Sequence, residues 1–190
     1  LGKYIFGAAG QADYASFQTI DLPSAGGTQG HVDRDDRLRI AFLGNTLMHR
    51  ESEFGIVESE LTRLFPDRDL VFRNIGWPGD TVRGDARTEF GPGETELGNW
   101  QRPDRDPGDY GYYKLLAQIK REHPDVLLVG YGSNVAFGDD RQLERFREGL
   151  DRLLTDLKPT GVRIVLLSPP PREIRAASRG HLQQQNDRLK

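Results

Sequence analysis

The sequence predicts a three-layer α/β fold in which a parallel sheet is covered by helices on both faces. Two observations predict it. Four short apolar runs alternate with amphipathic stretches of helical length, and a cluster of glycine, proline or polar residues follows each apolar run. Strands that alternate with helices favour right-handed βαβ units, and therefore a parallel sheet buried on both faces.

The first half of this pattern contains two strands with a helix between them. Residues 39–43 (RIAFL) form an apolar run that ends at Gly44, and residues 70–75 (LVFRNI) form the second run. Apolar residues between the two runs recur at helical spacing, which predicts one helix that is ended by Pro66. Its predicted buried face consists of Phe54, Val57, Leu61, Leu64 and Phe65.

The second half adds two helices and two strands. Residues 76–109 are rich in glycine, proline and aspartate and show little periodicity, and loops of such length are often functional. Strands are predicted at residues 126–129 (VLLV) and 162–167 (VRIVLL), the second stopped by Pro169. The two helix faces consist of Tyr112, Leu115, Leu116 and Ile119, and of Leu143, Phe146, Leu150, Leu153, Leu154 and Leu157.

The N-terminal segment does not continue this pattern. Glycine and alanine are frequent in residues 1–35, and residues 23–30 (PSAGGTQG) have the composition of a flexible linker. We interpret residues 1–35 as a linker or the tail of a preceding domain, and residues 36–190 as a partial α/β domain. The chain begins at Leu1 and ends within a polar, helix-like stretch, so we expect it to be a fragment.

Composition excludes several classes of function. The chain has 26 basic and 29 acidic residues, a net charge of -3 and no basic stripe, which disfavours nucleic acid as a partner. No apolar run approaches the roughly 18–20 residues of a membrane span. Cysteine is absent, and no two histidines have metal-ligand spacing. We therefore predict neither a metal nor a cofactor.

Three of the predicted strands are followed by segments that contain glycine and polar side chains suited to catalysis or binding. These are residues 42–47 (FLGNTL), 74–81 (NIGWPGDT) and 131–135 (YGSNV). In open parallel sheets, ligands bind beyond the carboxyl ends of the strands, so the three segments are expected to meet. Each segment alone also has a simpler explanation. The first could be only a turn and helix N-cap, because asparagine and threonine cap helices well. The second is an ordinary turn sequence, and Asn134 of the third could simply hold its loop in place.

Together, the segments resemble the three blocks of the SGNH (GDSL-like) hydrolases, over about residues 37–172. In that family a strand is followed by Gly-Asp-Ser-Leu, Ser-Gly-Asp-Thr or Gly-X-Asn-Asp; the Gly-Asn-Thr-Leu variant found here looks like a subgroup common in planctomycete-type bacteria. The resemblance implies a flavodoxin-like α/β/α fold, incomplete at the C-terminus, and ester hydrolysis. It also implies a periplasmic or extracellular location.

The resemblance implies a set of site residues. Thr46 stands where the family has its nucleophilic serine, and its N–H, the N–H of Gly79 and the side-chain amide of Asn134 correspond to the oxyanion donors. The same blocks assign substrate binding to Asn45, Trp77, Asp80 and Ser133.

Two departures from the family pattern bear on activity. The extra methyl group of Thr46 stiffens the side chain and crowds the attacking oxygen. No Asp-X-X-His follows Pro171, and the resemblance implies that this block lies a few dozen residues beyond Lys190. Without that base we expect the chain to be nearly inert. His49 and His181 are alternative bases, although an exposed helix position is the favoured explanation for His49.

Three functions remain open at this stage. The first is hydrolysis of small acyl esters of a carbohydrate or similar alcohol, with Trp77 and Trp100 stacking on sugar rings or only packing the loops. The second is a silent binding module, which Thr46 favours and the retained oxyanion donors disfavour. The third is an electron-transfer module, which would need a phosphate-cradling loop; residues 44–49 (GNTLMH) form a poor one.

Overall fold

The computed structural model describes residues 37–87, residues 109–169 and Asp187. Four strands form one sheet in the order β2-β1-β3-β4, and every neighbouring pair is parallel. The strands are β1 (Leu38–Gly44), β2 (Leu70–Asn74), β3 (Val126–Gly130) and β4 (Arg163–Leu166). The predicted parallel sheet is therefore confirmed within the described residues.

Strand β1 lies between β2 and β3, so its carboxyl end has a neighbour on each side. Phe42 pairs with Asn74 of β2, and Gly44 pairs with Gly130 of β3. Every residue of β3 is buried. A strand covered on both faces is apolar along its whole length, which explains the unbroken VLLV run of the sequence.

Helices cover the two faces of the sheet. The helices are α1 (Thr46–Phe54), α2 (Ile56–Leu64), α3 (Tyr110–Glu122) and α4 (Asp140–Leu157). One core contains Leu43 together with residues of α3 and α4 such as Leu115 and Leu153. The other contains Phe42 together with residues of α1 and α2 such as Leu61. The described residues thus form the predicted three layers, and the predicted faces of α3 and α4 pack inward.

The single helix predicted between β1 and β2 is wrong, because the chain forms two helices there. Gly55 adopts a left-handed conformation with φ 58°. Its N–H donates to the carbonyl of Glu51, which ends α1 in the manner of a glycine C-cap. The carboxylate of Glu51 then accepts the N–H groups of Val57 and Glu58 and caps α2. The break turns Phe54 outward, and 66% of that side chain is exposed.

The remaining sequence predictions concern the end of α3, residues outside the described ranges and membrane spans. His123 ends α3 in a left-handed conformation with φ 46°. The predicted linker in residues 1–35, Trp100 and His181 lie outside the described residues. Within residues 37–87 and 109–169, no helix is long and apolar enough to cross a membrane.

Candidate active site

Asn45 connects the end of β1 to the start of α1. Its Oδ1 atom accepts the N–H of Leu47 at 3.3 Å, which caps the helix. Its Nδ2 atom donates to Oγ of Ser133 at 2.9 Å. Only 3% of Asn45 is exposed. One side chain therefore caps the helix and ties the first block to the third. Thr46 follows as the exposed first residue of α1.

Two glycines let α1 approach the strand ends. A Cβ atom on Gly44 would lie 2.4 Å from the carbonyl oxygen of Gly130 and 2.5 Å from Cγ of Met48. A Cβ atom on Gly130 would lie 2.6 Å from the sulfur of Met48. The clash at Gly44 is with a backbone carbonyl, so this position requires glycine for α1 to lie where it does. The clash at Gly130 is with the side chain of Met48, which would have to shift.

The second block begins against α1. The N–H of Trp77 donates to the carbonyl of Gly44 at 2.9 Å, and Nδ2 of Asn74 donates to the carbonyl of Met48 at 2.6 Å. A Cβ atom on Gly76 would lie 2.7 Å from the backbone nitrogen of His49. These contacts hold the turn after β2 against the helix that carries Thr46.

Gly79 stands at the exposed end of this turn. It has a left-handed backbone with φ 74°, and no heavy atom lies within 4 Å of the point where a Cβ atom would be. Glycine enters this conformation without the steric cost of other residues. The space above the residue is open, as access to its backbone by a ligand requires.

Asp80 is bound on all sides by protein groups. Its Oδ2 atom accepts Nε of Arg87 at 2.8 Å and the hydroxyl of Tyr131 at 3.0 Å, and its Oδ1 atom accepts the N–H of Ala86 at 3.3 Å. No part of Asp80 is exposed. The carboxylate thus accepts hydrogen bonds from three protein groups, while Asp80 also borders the cleft described below. Its predicted contact with substrate stays a prediction.

The third block is held to the second through Asn134. Its Nδ2 atom donates to the backbone carbonyl of Asp80 at 3.4 Å. The preceding turn depends on Gly132, which has φ 109° and whose Cβ atom would lie 3.3 Å from Pro169. Asn134 itself is exposed. Its amide is thus placed beside the turn that carries Gly79.

A cleft of about 190 Å³ opens beside these residues. Asn45 and Asn134 border it. The other lining residues are apolar, polar and charged, namely Val82, Val135, Phe146, Tyr131, Gly132, Thr81, Gln142, Asp80, Arg83, Asp85 and Arg145. Among the described residues, Thr46 and Gly79 do not line the cleft but are the chain neighbours of two residues that do, Asn45 and Asp80.

The predicted site residues therefore come together in part. Hydrogen bonds join Asn45 to Ser133 and Asn134 to Asp80, so the three blocks meet at one edge of the sheet. The convergence of Thr46 Oγ1, the Gly79 N–H and the Asn134 amide on one point stays a prediction. Trp77 is half-buried, and the guanidinium of Arg87 lies 5.5 Å from its ring centroid. This contact favours the packing alternative for Trp77 over sugar stacking.

Two residues of the site were missed by sequence reasoning. Arg87 is 3% exposed and Tyr131 is 4% exposed, and both bind Asp80. Burial and the charge of Asp80 raise the pKa of Tyr131 well above its usual value, so it remains a hydrogen donor. The sequence feature that could have identified Tyr131 was its place inside the third block.

His49 is half-buried one turn after Thr46, and its role as a base stays a prediction.

Comparison with known proteins addresses the fold. No family model and no curated protein matches the sequence. A gut microbial diltiazem-metabolizing enzyme is similar with a TM-score of 0.55 and 17% identity, over 80% of this chain and 32% of that chain. The acetyl xylan esterase AlAXEase is similar with a TM-score of 0.51 and 12% identity, over 80% and 70%.

A third solved structure is a protein from Slackia heliotrinireducens assigned to the SGNH hydrolases, with a TM-score of 0.49 and 16% identity, over 80% and 70% of the two chains. At such low identity these likenesses concern the fold alone. The chain has a three-layer α/β/α fold with a parallel sheet, similar to the folds of the diltiazem-metabolizing enzyme and the acetyl xylan esterase.

Proposed function

We propose that the protein hydrolyses esters at the edge of the sheet where the three blocks meet. The observation that carries the proposal is the pair of hydrogen bonds from Asn45 to Ser133 at 2.9 Å and from Asn134 to the carbonyl of Asp80 at 3.4 Å. These bonds join the blocks that contain Thr46, Gly79 and Asn134, which supports a shared site for a hydroxyl residue on a helix N-terminus, a glycine turn and an exposed amide. Acyl transfer requires this combination of a nucleophile and oxyanion donors.

In the proposed reaction, Oγ1 of Thr46 attacks the ester carbonyl carbon. The negative charge that develops on the carbonyl oxygen is stabilised by the N–H groups of Thr46 and Gly79 and by the amide of Asn134. The alcohol leaves with a proton, and water then releases the acid from Thr46. The base that takes the hydroxyl proton is the histidine of the Asp-X-X-His block that the family resemblance implies.

The cleft supports a small acyl group as the preferred substrate. Three apolar side chains, Val82, Val135 and Phe146, border a volume of about 190 Å³. An apolar cavity of about 150 Å³ holds one benzene molecule, so a cleft of this size suits a short acyl chain rather than a long one. A carbohydrate as the alcohol is supported by the fold likeness to an acetyl xylan esterase.

The alternative is a module that binds such esters without turnover. The observation that favours it is Thr46, whose methyl group crowds the attacking oxygen. Conversion to serine removes this methyl group and leaves the backbone in place. The two functions therefore give different results for a Thr46→Ser variant.

The test uses the full chain as its gene encodes it, with aryl acetate and aryl butanoate as substrates. We expect Thr46→Ala to lose turnover by about 10³-fold or more, because no nucleophile remains. Thr46→Ser should retain or raise the rate. Thr62→Ala is the matched control, since Thr62 lies on the exposed side of α2 and donates to the carbonyl of Glu58.

Two outcomes would contradict the proposal. Undiminished hydrolysis in Thr46→Ala would assign the chemistry to another group, with His49 the next residue to replace. Turnover in Thr46→Ser alone, with equal ester binding in the natural protein, would establish the binding module. Loss of about 10²- to 10³-fold in Asn134→Ala would support the oxyanion role of the amide.

A further inference from the structure

Arg87 binds both ends of the turn that carries Gly79. One guanidinium nitrogen donates to the backbone carbonyl of Ile75 at 2.8 Å, where β2 has just ended, and Nε donates to Oδ2 of Asp80 at 2.8 Å. A third nitrogen donates to Oε1 of Gln118 on α3. The planar fork of arginine fixes its partners relative to one another. Arg87 thus links the turn from Ile75 to Asp80 to α3.

Asp80 extends this link to the third block in two ways. Its carboxylate accepts the hydroxyl of Tyr131 at 3.0 Å, and its backbone carbonyl accepts Nδ2 of Asn134 at 3.4 Å. Tyr131 directly precedes the Gly132 turn that leads to Asn134. One residue of the second block therefore holds the third block at both ends of the segment 131–134.

We propose that Arg87 and Tyr131 are positioning residues that act through Asp80 and set the spacing between the Gly79 N–H and the Asn134 amide. This inference rests on the proposed ester hydrolysis for its catalytic consequence. Arg87 does not border the cleft and is 3% exposed. Tyr131 borders the cleft but is only 4% exposed, and its hydroxyl is bound to Asp80 rather than offered to a substrate. Their effect is to keep two hydrogen donors in place while charge develops on the substrate.

Burial makes this arrangement stiff. Charged and polar groups out of contact with water interact strongly and are destabilised when they lose a partner, so the network has one preferred geometry. Oxyanion stabilisation depends on donors that are already in place, and a displacement of about 1 Å is enough to cost about 100-fold in rate. Removal of one bond from the network should therefore slow the chemical step more than it weakens substrate binding.

The test compares two tyrosine-to-phenylalanine variants of the full chain with aryl butanoate. Tyr131→Phe removes the bond to Asp80 and little volume, and we expect kcat to fall about 10- to 100-fold while KM changes less than about threefold. Tyr112→Phe is the matched control: Tyr112 is also buried, and its hydroxyl donates to Asp156 on α4 at 2.8 Å rather than to a residue of the three blocks. Its kcat should stay within about twofold of the natural value.

A double-mutant cycle separates positioning from general damage. When Asn134→Ala has already removed the amide, Tyr131→Phe should lower kcat much less than it does alone, because the two residues act on one interaction. Equal losses in both backgrounds would overturn the proposal. Arg87→Lys supplies a second variant, which keeps the charge and loses the fork. Its control is Arg73→Lys on the exposed side of β2.

A readout without substrate distinguishes failure of this proposal from failure of the proposed function. The side-chain amide protons of Asn134 give a pair of ¹H–¹⁵N signals, assigned by their loss in Asn134→Ala. We expect Tyr131→Phe to shift this pair and Tyr112→Phe to leave it unchanged. A shift in a protein without esterase activity would retain the positioning role and overturn only the proposed hydrolysis. An unmoved pair would overturn the positioning role whatever the activity.

Discussion

Arg87 and Asp80 form an ion pair with Nε and Oδ2 2.8 Å apart, and their side chains are 3% and 0% exposed. The pair lies directly beneath the turn that carries Gly79. Two charges withdrawn from water stabilise the fold only while each keeps its partner, because either one alone would remain buried and uncompensated. The structure beneath the candidate site therefore requires both Arg87 and Asp80.

The first prediction concerns this pair. Arg87→Met should lower the free energy of unfolding by roughly 3–5 kcal/mol, since it leaves the carboxylate of Asp80 buried without its cation. Arg63→Met is the control, because Arg63 pairs with Glu60 at the same 2.8 Å but with 66% and 46% of the two side chains exposed. That variant should lose about 0–1 kcal/mol. Urea unfolding measures both; similar losses would show that burial does not matter here.

The second prediction concerns the approach of α1 to the sheet. In Gly44→Ala, the Cβ atom would press against the backbone carbonyl of Gly130, which cannot rotate away. We expect this overpacking to lower the free energy of unfolding by about 3 kcal/mol.

Gly161→Ala is the matched control for this prediction. Its Cβ atom meets no atom within 4 Å, and the backbone there has φ 72°. The left-handed conformation alone should cost about 1–2 kcal/mol. A ranking of the two variants in the opposite order by urea unfolding would refute the steric explanation.

The third prediction concerns Asn45. Asn45→Ala removes both the cap on Leu47 and the bond to Ser133, and we expect it to lower the free energy of unfolding by about 1–2 kcal/mol. Asn45→Asp keeps an oxygen acceptor for Leu47, and the hydroxyl of Ser133 can rotate to donate to the new carboxylate, so the loss should stay below about 1 kcal/mol. Thermal unfolding of the two variants checks this; equal losses would mean that the cap and the bond contribute little.

The fourth prediction concerns pH. Arg152 donates to both oxygens of Asp109 at 2.9 Å, and these bonds hold the pKa of Asp109 below its usual value of 3.8. A carboxyl group whose pKa is lower in the folded state stabilises the fold above its unfolded pKa and loses that contribution as pH falls through its folded pKa.

Asp109→Asn should therefore lower the melting temperature at pH 7, and the difference from the natural protein should shrink as pH falls below about 4. Asp67→Asn, at an exposed position after α2, is the control and should change the melting temperature little at either pH. A difference for Asp109→Asn that persists unchanged at pH 2 would assign the effect to packing rather than to charge.

The sheet was predictable because its signals are local. Apolar runs such as residues 126–129 mark buried strands, and the right-handed connection of parallel strands restricts the strand order. The meeting of the three blocks followed, because the ends of neighbouring parallel strands share one edge. Gly55 was not predicted to divide a helix, since glycine is tolerated inside helical patterns and its left-handed conformation depends on what surrounds it.

The hydrogen-bond network of Asp80, Arg87 and Tyr131 could not be predicted from the sequence either. Tyr131 and Asp80 are separated by 51 positions, and their bond forms because β2 and β3, which lead into the second and third blocks, both pair with β1. The composition of a polar loop does not show which of its arginines is buried. Arg83 and Arg87 lie in the same loop, yet Arg87 is 3% exposed and the side chain of Arg83 is 30% exposed.

Met48 is the chain's one methionine, and its sulfur fills the space that Gly44 and Gly130 leave between α1 and the strand ends. It is 4% exposed and packs in the same core as Phe42 and Leu61. Oxidation to the sulfoxide would add an oxygen where neither glycine leaves room and would place a polar group among apolar side chains. The position of α1, which carries Thr46, therefore depends on Met48 staying reduced. Because the sulfur is buried, an oxidant can reach it only when α1 moves away from the strand ends, so the rate of that movement limits the rate of oxidation.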